Sequence, residues 1–170
     1  ISKDVTLGLA GQELLAESYA VCKSDMMIRG IDPENIQFGN SLTDQDKFPD
    51  TKFDYILSNP PYGKDWKDFT EDIEKEQKKS NTRYPVGLPR TSDGAMLFLQ
   101  HIVSKMYPKD SEETSRAAIV FNGSPLFTGD AGSGESNIRK WLLDENNDYL
   151  ETIVALPKDL FYNTGISTYI

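Results

Sequence analysis

The chain has 170 residues, of which 38% are hydrophobic and 26% charged, and its net charge is −9. This length suits one domain with a buried core, and no apolar run approaches the roughly 20 residues of a membrane span, so we expect no membrane association. The negative net charge excludes a protein whose whole surface is basic and binds nucleic acid non-specifically. One cysteine, Cys22, and one histidine, His101, leave no basis for a zinc site or an internal disulfide, and they fit a cytoplasmic protein.

A strand and a helix are predicted first along the chain. Residues 5–10 favour a strand, and Glu13 follows at its end. Residues 14–29 favour a helix that stops at Gly30. The apolar stripe of this helix has spacings of three or four and consists of Leu15, Tyr19, Cys22 and Met26. We therefore expect Cys22 to be buried or half-buried.

Two more strands follow. Residues 35–39 form a short strand-like run that Asn40 ends, and residues 44–52 form a polar loop. Residues 53–58 are apolar and typical of a buried strand, and Asn59 comes directly after them. Both asparagines therefore lie where a predicted strand ends.

Residues 64–91 have a different composition. Their first part is densely charged, their later part carries Pro85, Gly87 and Pro89, and they lack an apolar stripe. We expect a solvated, partly mobile insertion with a short helix over residues 71–79. Its place directly after a candidate site also suits a lid or substrate loop, and the two interpretations are compatible.

The rest of the chain continues the alternation of helices and strands. Asp93 predicts a helix cap. The elements predicted after it are a helix over 94–106, a strand over 117–121, a glycine-rich connection, a helix over 137–145, and strands over 150–156 and 166–170. This order predicts an α/β fold with a mostly parallel sheet. Ligands bind beyond the carboxyl ends of such strands, so we expect Glu13, Asn40 and Asn59 to face one crevice.

The most informative motif is Asn59-Pro60-Pro61-Tyr62. The two prolines remove two N–H donors from the turn. The Asn59 side-chain oxygen and the Pro60 carbonyl remain as neighbouring acceptors, with the ring of Tyr62 beyond them. This edge suits a planar ring that bears an exocyclic amine, such as adenine. The alternative is a proline-rich turn without a chemical role.

Four stretches together resemble a known family. They are Gly11-Gln12-Glu13, Gly39-Asn40-Ser41-Leu42, Asn59-Pro60-Pro61-Tyr62-Gly63 and a tail that runs from Ile138-Arg139-Lys140-Trp141 to Asn163-Thr164-Gly165. On these residues the chain resembles the N6-adenine DNA methyltransferases that use S-adenosylmethionine. The tail is similar to the modification subunits of type I restriction–modification systems in particular.

The resemblance implies a class I methyltransferase fold, Rossmann-like, with residues 1–170 as part of the catalytic domain. It implies that Asn59, Pro60, Pro61 and Tyr62 are catalytic, that Glu13 binds the cofactor ribose, and that Asn40 binds the cofactor adenine. Each cofactor residue has a structural alternative: Glu13 as an acid at a helix N-terminus, and Asn40 as a turn residue where the family usually has aspartate. The family's glycine-rich loop and the strand before it are not found in the sequence. We therefore expect an incomplete fold that lacks the first strand, and an isolated fragment that is inactive and binds S-adenosylmethionine poorly.

The activity implied by the resemblance is methyl transfer to the exocyclic amine of an adenine flipped out of double-stranded DNA. The implied partners are a specificity subunit and a restriction subunit. Two alternatives stay open: methylation of a glutamine amide in a protein, as in release-factor methyltransferases, and a non-catalytic scaffold of the same fold.

Overall fold

The computed structural model describes residues 7–162 and 165–170. The chain divides into two compact units, Ile1–Pro49 and Asp50–Ile170. Its regular elements, in chain order, are β1 (Gly11–Glu13), α1 (Ala16–Ile28), β2 (Ile36–Phe38), β3 (Tyr55–Ser58), a 3-10 turn (Lys67–Phe69), α2 (Thr70–Gln77), α3 (Ala95–Ser104), β4 (Arg116–Ile119), β5 (Phe121–Asn122), α4 (Ser124–Phe127), α5 (Gly134–Leu143) and β6 (Thr168–Tyr169). Within the described ranges, no helix has both the length and the apolar character that crossing a bilayer requires.

The first unit is a β–α–β arrangement. Strands β1 and β2 are parallel and in register, with Glu13 opposite Phe38. Helix α1 packs on them through Met26, which is buried, and through Tyr19, whose ring meets the Phe38 ring edge-on at 5.6 Å between centroids. The helix ends as predicted at Gly30, whose φ of 71° is the left-handed conformation that glycine adopts without strain.

Two predictions for the first unit were wrong. Residues 7–10 are irregular, and the strand begins at Gly11 and includes Glu13; residues 5–6 lie outside the described part of the chain. Cys22 is exposed, although the helix around it is confirmed. The reason is that three-residue strands cover only a narrow stripe of α1. That stripe follows Tyr19 and Met26, which are seven residues apart and share one side of the helix.

The second unit contains a parallel and an antiparallel strand pair. Strands β3 and β4 are parallel, and β5 and β6 are antiparallel. Two of the three pairs in the described chain are therefore parallel, which confirms the α/β class with mostly parallel pairing. The strand predicted over residues 53–58 is present as β3, but the expectation that it is buried was wrong: none of its residues is buried, and Tyr55 and Leu57 on its open face are 75% and 84% exposed. The core lies instead around the helices, and its members include Trp66, Ile73, Tyr84, Leu97, Ile102 and Ile138.

Three boundaries in the second unit differ from the predictions. The run over 117–121 is divided into β4 and β5 at Val120, whose N–H bonds the carbonyl of Ser58. Residues 150–156 were expected to form a strand, but only a short antiparallel pairing is present: Ala155 forms a bridge with Tyr169, and main-chain hydrogen bonds join Val154 to Ile170 and Leu156 to Thr168. Helix α5 begins at Gly134, where the hydroxyl oxygen of Ser133 caps it by accepting the N–H of Ser136.

Candidate active site

Glu13 lies at the carboxyl end of β1. Its main-chain oxygen accepts the N–H of Gly39 at 3.0 Å. The hydrogen bonding between β1 and β2 therefore extends to the last residue of β1. One carboxylate oxygen of Glu13 accepts the N–H of Leu15 at 2.8 Å, just before α1 begins. This bond fits the helix-entry role, and it leaves the second carboxylate oxygen for a ligand. Glu13 is half-buried, so that oxygen is within reach of solvent.

Asn40 lies at the same carboxyl edge of the β1–β2 pair and is 5% exposed. Its side-chain oxygen accepts the N–H of Leu42 at 3.0 Å and thereby closes an Asx turn. Among the described residues, its amide nitrogen has no hydrogen-bond partner. The structure thus brings Glu13 and Asn40 to one edge. It also shows that the side-chain oxygen of Asn40 serves the turn, while its side-chain nitrogen stays available to donate to a ligand.

Gln12 holds the loop that follows Asn40, a role that the sequence did not suggest. Its side-chain nitrogen donates to the carbonyl of Gln45 at 2.8 Å, and its side-chain oxygen accepts the N–H of Lys47 at 2.9 Å. Gly39 lies against this side-chain amide. A Cβ added to Gly39 would lie 3.0 Å from Gln12 Nε2, and the φ of Gly39 is 151°. A glycine is therefore required directly before Asn40.

The Asn59-Pro60-Pro61-Tyr62 motif leaves β3 where the β3–β4 ladder ends. Pro60 is buried and Asn59 is exposed. The hydroxyl of Tyr62 donates to the side-chain oxygen of Asn59 at 2.9 Å. No donor in the described chain bonds the carbonyl of Pro60. The motif therefore has acceptors at two adjacent residues, of which the Asn59 oxygen already accepts the Tyr62 hydroxyl, and their role in binding a ligand stays a prediction.

The chain directly after the motif is fixed to the start of α3. The carbonyl of Lys64 accepts the N–H of Gly94 at 2.9 Å, and the N–H of Trp66 donates to the carbonyl of Thr91 at 3.0 Å. The indole nitrogen of Trp66 donates to the carbonyl of Arg90 at 3.0 Å. Residues 64–91 are thus a segment whose two ends are hydrogen-bonded to each other.

Residues 64–91 are anchored more firmly than a solvated insertion. The predicted short helix is confirmed as α2, but Trp66, Ile73 and Tyr84 are 4%, 0% and 0% exposed. The expectation of a solvated insertion was therefore wrong for these residues. The three side chains are too few, and too widely spaced among charged residues, to form a visible apolar stripe. Whether the segment acts as a lid stays a prediction.

A charged cluster joins this segment to α3. The Glu76 carboxylate pairs with Arg83 at 3.2 Å and with Lys79 at 2.6 Å. Burial alone would raise the pKa of Glu76, but its hydrogen bonds and charge contacts with Lys79 and Arg83 outweigh burial and lower that pKa. Arg83 also lies 3.1 Å from Nδ1 of His101 on α3. Because a guanidinium only donates, that ring nitrogen is the acceptor, which favours a structural role for His101.

Arg90 is the second residue that sequence reasoning missed. Its N–H donates to the buried carboxylate of Glu135 on α5 at 3.0 Å. Its guanidinium donates to the hydroxyl of Ser124 at 3.3 Å and lies 3.8 Å from the carboxylate of Asp93. Asp93 accepts the N–H of Ala95, so the predicted cap of α3 is confirmed. Arg90 therefore connects the segment after the motif to α4, to α5 and to the residue that caps α3.

Comparisons with known proteins identify the class to which this fold belongs. The crystal structure of a modification subunit from Vibrio vulnificus YJ016 superposes with a TM-score of 0.65 at 26% identity, over 94% of this chain and 31% of that chain. The α/β fold is thus that of a methyltransferase. The chain belongs to the N-6 DNA methylase family, whose model matches residues 2–170.

Curated relatives agree with this family. The chain is 29% identical over 161 residues to the type I restriction enzyme HindI methylase subunit of Haemophilus influenzae, covering 94% of this chain and 33% of that protein. It is 34% identical over 155 residues to the EcoEI methylase subunit of Escherichia coli, covering 89% of this chain and 27% of that protein. The resemblance to type I modification subunits is confirmed. The chain spans about a third or less of the length of these relatives.

Proposed function

We propose that the protein containing this chain methylates the exocyclic amine of adenine in DNA, with S-adenosylmethionine as methyl donor. The observation that carries the proposal is the acceptor edge at Asn59 and Pro60, which follows a parallel strand and has no competing N–H at residues 60 and 61. Type I methylase relatives support DNA as the substrate. Residues 1–170 would then be part of the catalytic domain, with residues 64–91 as a substrate loop or lid.

The chemistry at this edge is orientation and hydrogen bonding. The lone pair of an adenine amine is delocalised into its ring, so the amine is a weak nucleophile. The Asn59 side-chain oxygen and the Pro60 carbonyl would each accept one of its two hydrogens. Held in this way, the nitrogen loses conjugation and its lone pair is aimed out of the ring plane, without a strong base. The ring of Tyr62 would stack on the flipped base.

The first unit has residues that fit the cofactor. The second carboxylate oxygen of Glu13 suits a ribose hydroxyl, and the amide nitrogen of Asn40 suits a ring nitrogen of an adenine. Glu13 and Asn40 would therefore hold the nucleoside part. When bound, S-adenosylmethionine supplies an electrophilic methyl group on a sulfonium.

The expected partners follow from the same family membership. We infer that the protein acts in the cytoplasm on double-stranded DNA together with a specificity subunit and a restriction subunit. A separate specificity subunit would also reconcile DNA binding with the net charge of −9, because it would provide much of the cationic contact to phosphate.

The test is methylation by the full-length protein with its partner subunits, produced in a host without other N6-adenine methylation. Mass spectrometry of digested DNA should find N6-methyladenine with the wild type. Asn59→Ala should abolish it, whereas the matched control Asn81→Ala, at an exposed position of the segment 64–91, should not. Equal methylation by N59A and wild type would refute the role of Asn59. Methylated glutamine in protein, with unmodified DNA, would favour the amide alternative.

A further inference from the structure

The hydroxyl of Tyr62 and the side-chain oxygen of Asn59 form a bond inside the proposed catalytic motif. The oxygen atoms lie 2.9 Å apart, so the contact is an ordinary hydrogen bond. Tyr62 is half-buried, and burial raises the pKa of its hydroxyl above the ordinary value. The group is therefore protonated at neutral pH and acts as the donor.

This bond is the one polar restraint on the Tyr62 side chain within the described residues. The main chain on either side is shaped by Pro61 and by Gly63, which has a φ of 58°. Those residues set the course of the backbone but leave the side-chain torsions of Tyr62 free. The hydroxyl bond is therefore the polar contact that restrains the ring, beside the packing that half-buries the side chain.

The oxygen that receives the hydroxyl is also the oxygen proposed to receive the amine. An amide oxygen has two lone pairs, so the bond from Tyr62 leaves a second acceptor site on Asn59. An adenine bonded at that second site and the phenol ring would both point a polar edge at one atom. Sharing one acceptor atom would keep the two rings close together, which stacking requires.

We propose that the Tyr62 hydroxyl is a positioning group that preorganises the aromatic ring for the flipped adenine by anchoring it to Asn59. This inference rests on the proposed function. A rival model predicts the opposite effect on affinity. If the hydroxyl merely occupies the place of the amine, its removal would strengthen the binding of adenine.

Tyr62→Phe separates the two models because it keeps the ring and removes the bond. We expect the full-length complex carrying Y62F to bind its recognition duplex about three- to tenfold more weakly, the range of one net hydrogen bond. The anchor acts through stacking, which does not involve the amine. The loss of affinity should therefore be the same for a duplex with adenine at the target position and for one with purine, which lacks the amine. The KM for DNA should rise more than kcat falls. Tyr55→Phe is the matched control, since its exposed hydroxyl has no hydrogen bond among the described residues.

A double-mutant cycle makes the test decisive. The loss of affinity caused by Y62F should vanish in an Asn59→Ala background, where the anchor is absent. Persistence of the full loss in that background, tighter binding of adenine by Y62F, or unchanged binding would each overturn the proposal. N6-methyladenine formation by the wild type is measured in the same preparations. Its absence would refute the proposed function, whereas methylation together with an unchanged Y62F would refute the anchor alone.

Discussion

Replacing Gly134 with alanine should loosen the attachment of residues 64–91. Gly134 is the first residue of α5, and an added Cβ would fall on the carbonyl group of Leu88 and beside Pro89. The obstacle is main chain, which cannot rotate away as a flexible side chain can. Overpacking costs about 1–3 kcal/mol, and a main-chain obstacle places this substitution in the upper part of that range, about 2–3 kcal/mol, whereas the helix propensity of alanine returns at most about 1 kcal/mol. The steric cost therefore exceeds the gain in helix propensity, and the folded state loses about 1–2 kcal/mol of stability.

Hydrogen exchange followed by mass spectrometry on the full-length protein would measure this loss where it occurs. The informative amides are those of Trp66, Arg90 and Gly94, which donate to Thr91, Glu135 and Lys64. A loss of about 1–2 kcal/mol in local opening free energy corresponds to roughly five- to thirtyfold faster exchange.

The control for this experiment is Gly8→Ala, because an added Cβ at Gly8 meets nothing within 4 Å. Exchange over residues 64–91 should be the same in G8A and wild type. Unchanged or slower exchange in G134A would refute the steric reasoning, since helix propensity alone predicts a gain in stability.

Three further predictions concern the same unit. Trp66→Phe keeps a buried ring but removes the indole bond to Arg90, and we expect the thermal midpoint to fall by an amount that matches about 1 kcal/mol; an unchanged midpoint would mean that the bond contributes nothing. The lowered pKa of Glu76 means that its ionised form stabilises the fold above the ordinary glutamate range and that this stability is lost as pH falls through the folded pKa. The stability gap between wild type and Glu76→Gln, from urea unfolding at several pH values, should therefore shrink below about pH 4, and a gap independent of pH would contradict this. Arg116→Ala removes an exposed pair with Glu151 and should leave the thermal midpoint unchanged within error, so a clear drop would show that the pair is worth more than exposed pairs usually are.

The predictions from sequence succeeded where local rules decide the outcome. Gly30 ends α1 because the residue after the helix adopts a left-handed conformation, which glycine allows without strain. The glycine in the sequence is enough to predict this helix end. Residues 53–58 contain a strand, and the acceptor edge at Asn59 follows it, because two prolines cannot continue a ladder.

The failures share a physical cause, which is that contacts between distant residues are invisible to a local pattern. Cys22 lies within an apolar stripe, but its exposure depends on how much of α1 the short strands cover. Residues 150–156 are apolar enough for a strand, but a ladder needs a partner of equal length. Trp66 looked like one aromatic residue in a charged loop, and its burial depends on Arg90 and Gly94. A lone tryptophan among charges was the available signal.

The joined ends of residues 64–91 affect how this part of the chain can change in evolution. Main-chain hydrogen bonds that join Lys64 to Gly94 and Trp66 to Thr91 separate the interior of the segment from the motif that contains Tyr62. Doubling the length of a flexible loop costs only about 0.6 kcal/mol in closure entropy. Residues 78–81 are exposed and lie at the far turn. Insertions and deletions there are therefore expected to cost little stability and to leave the aromatic ring of the motif in place.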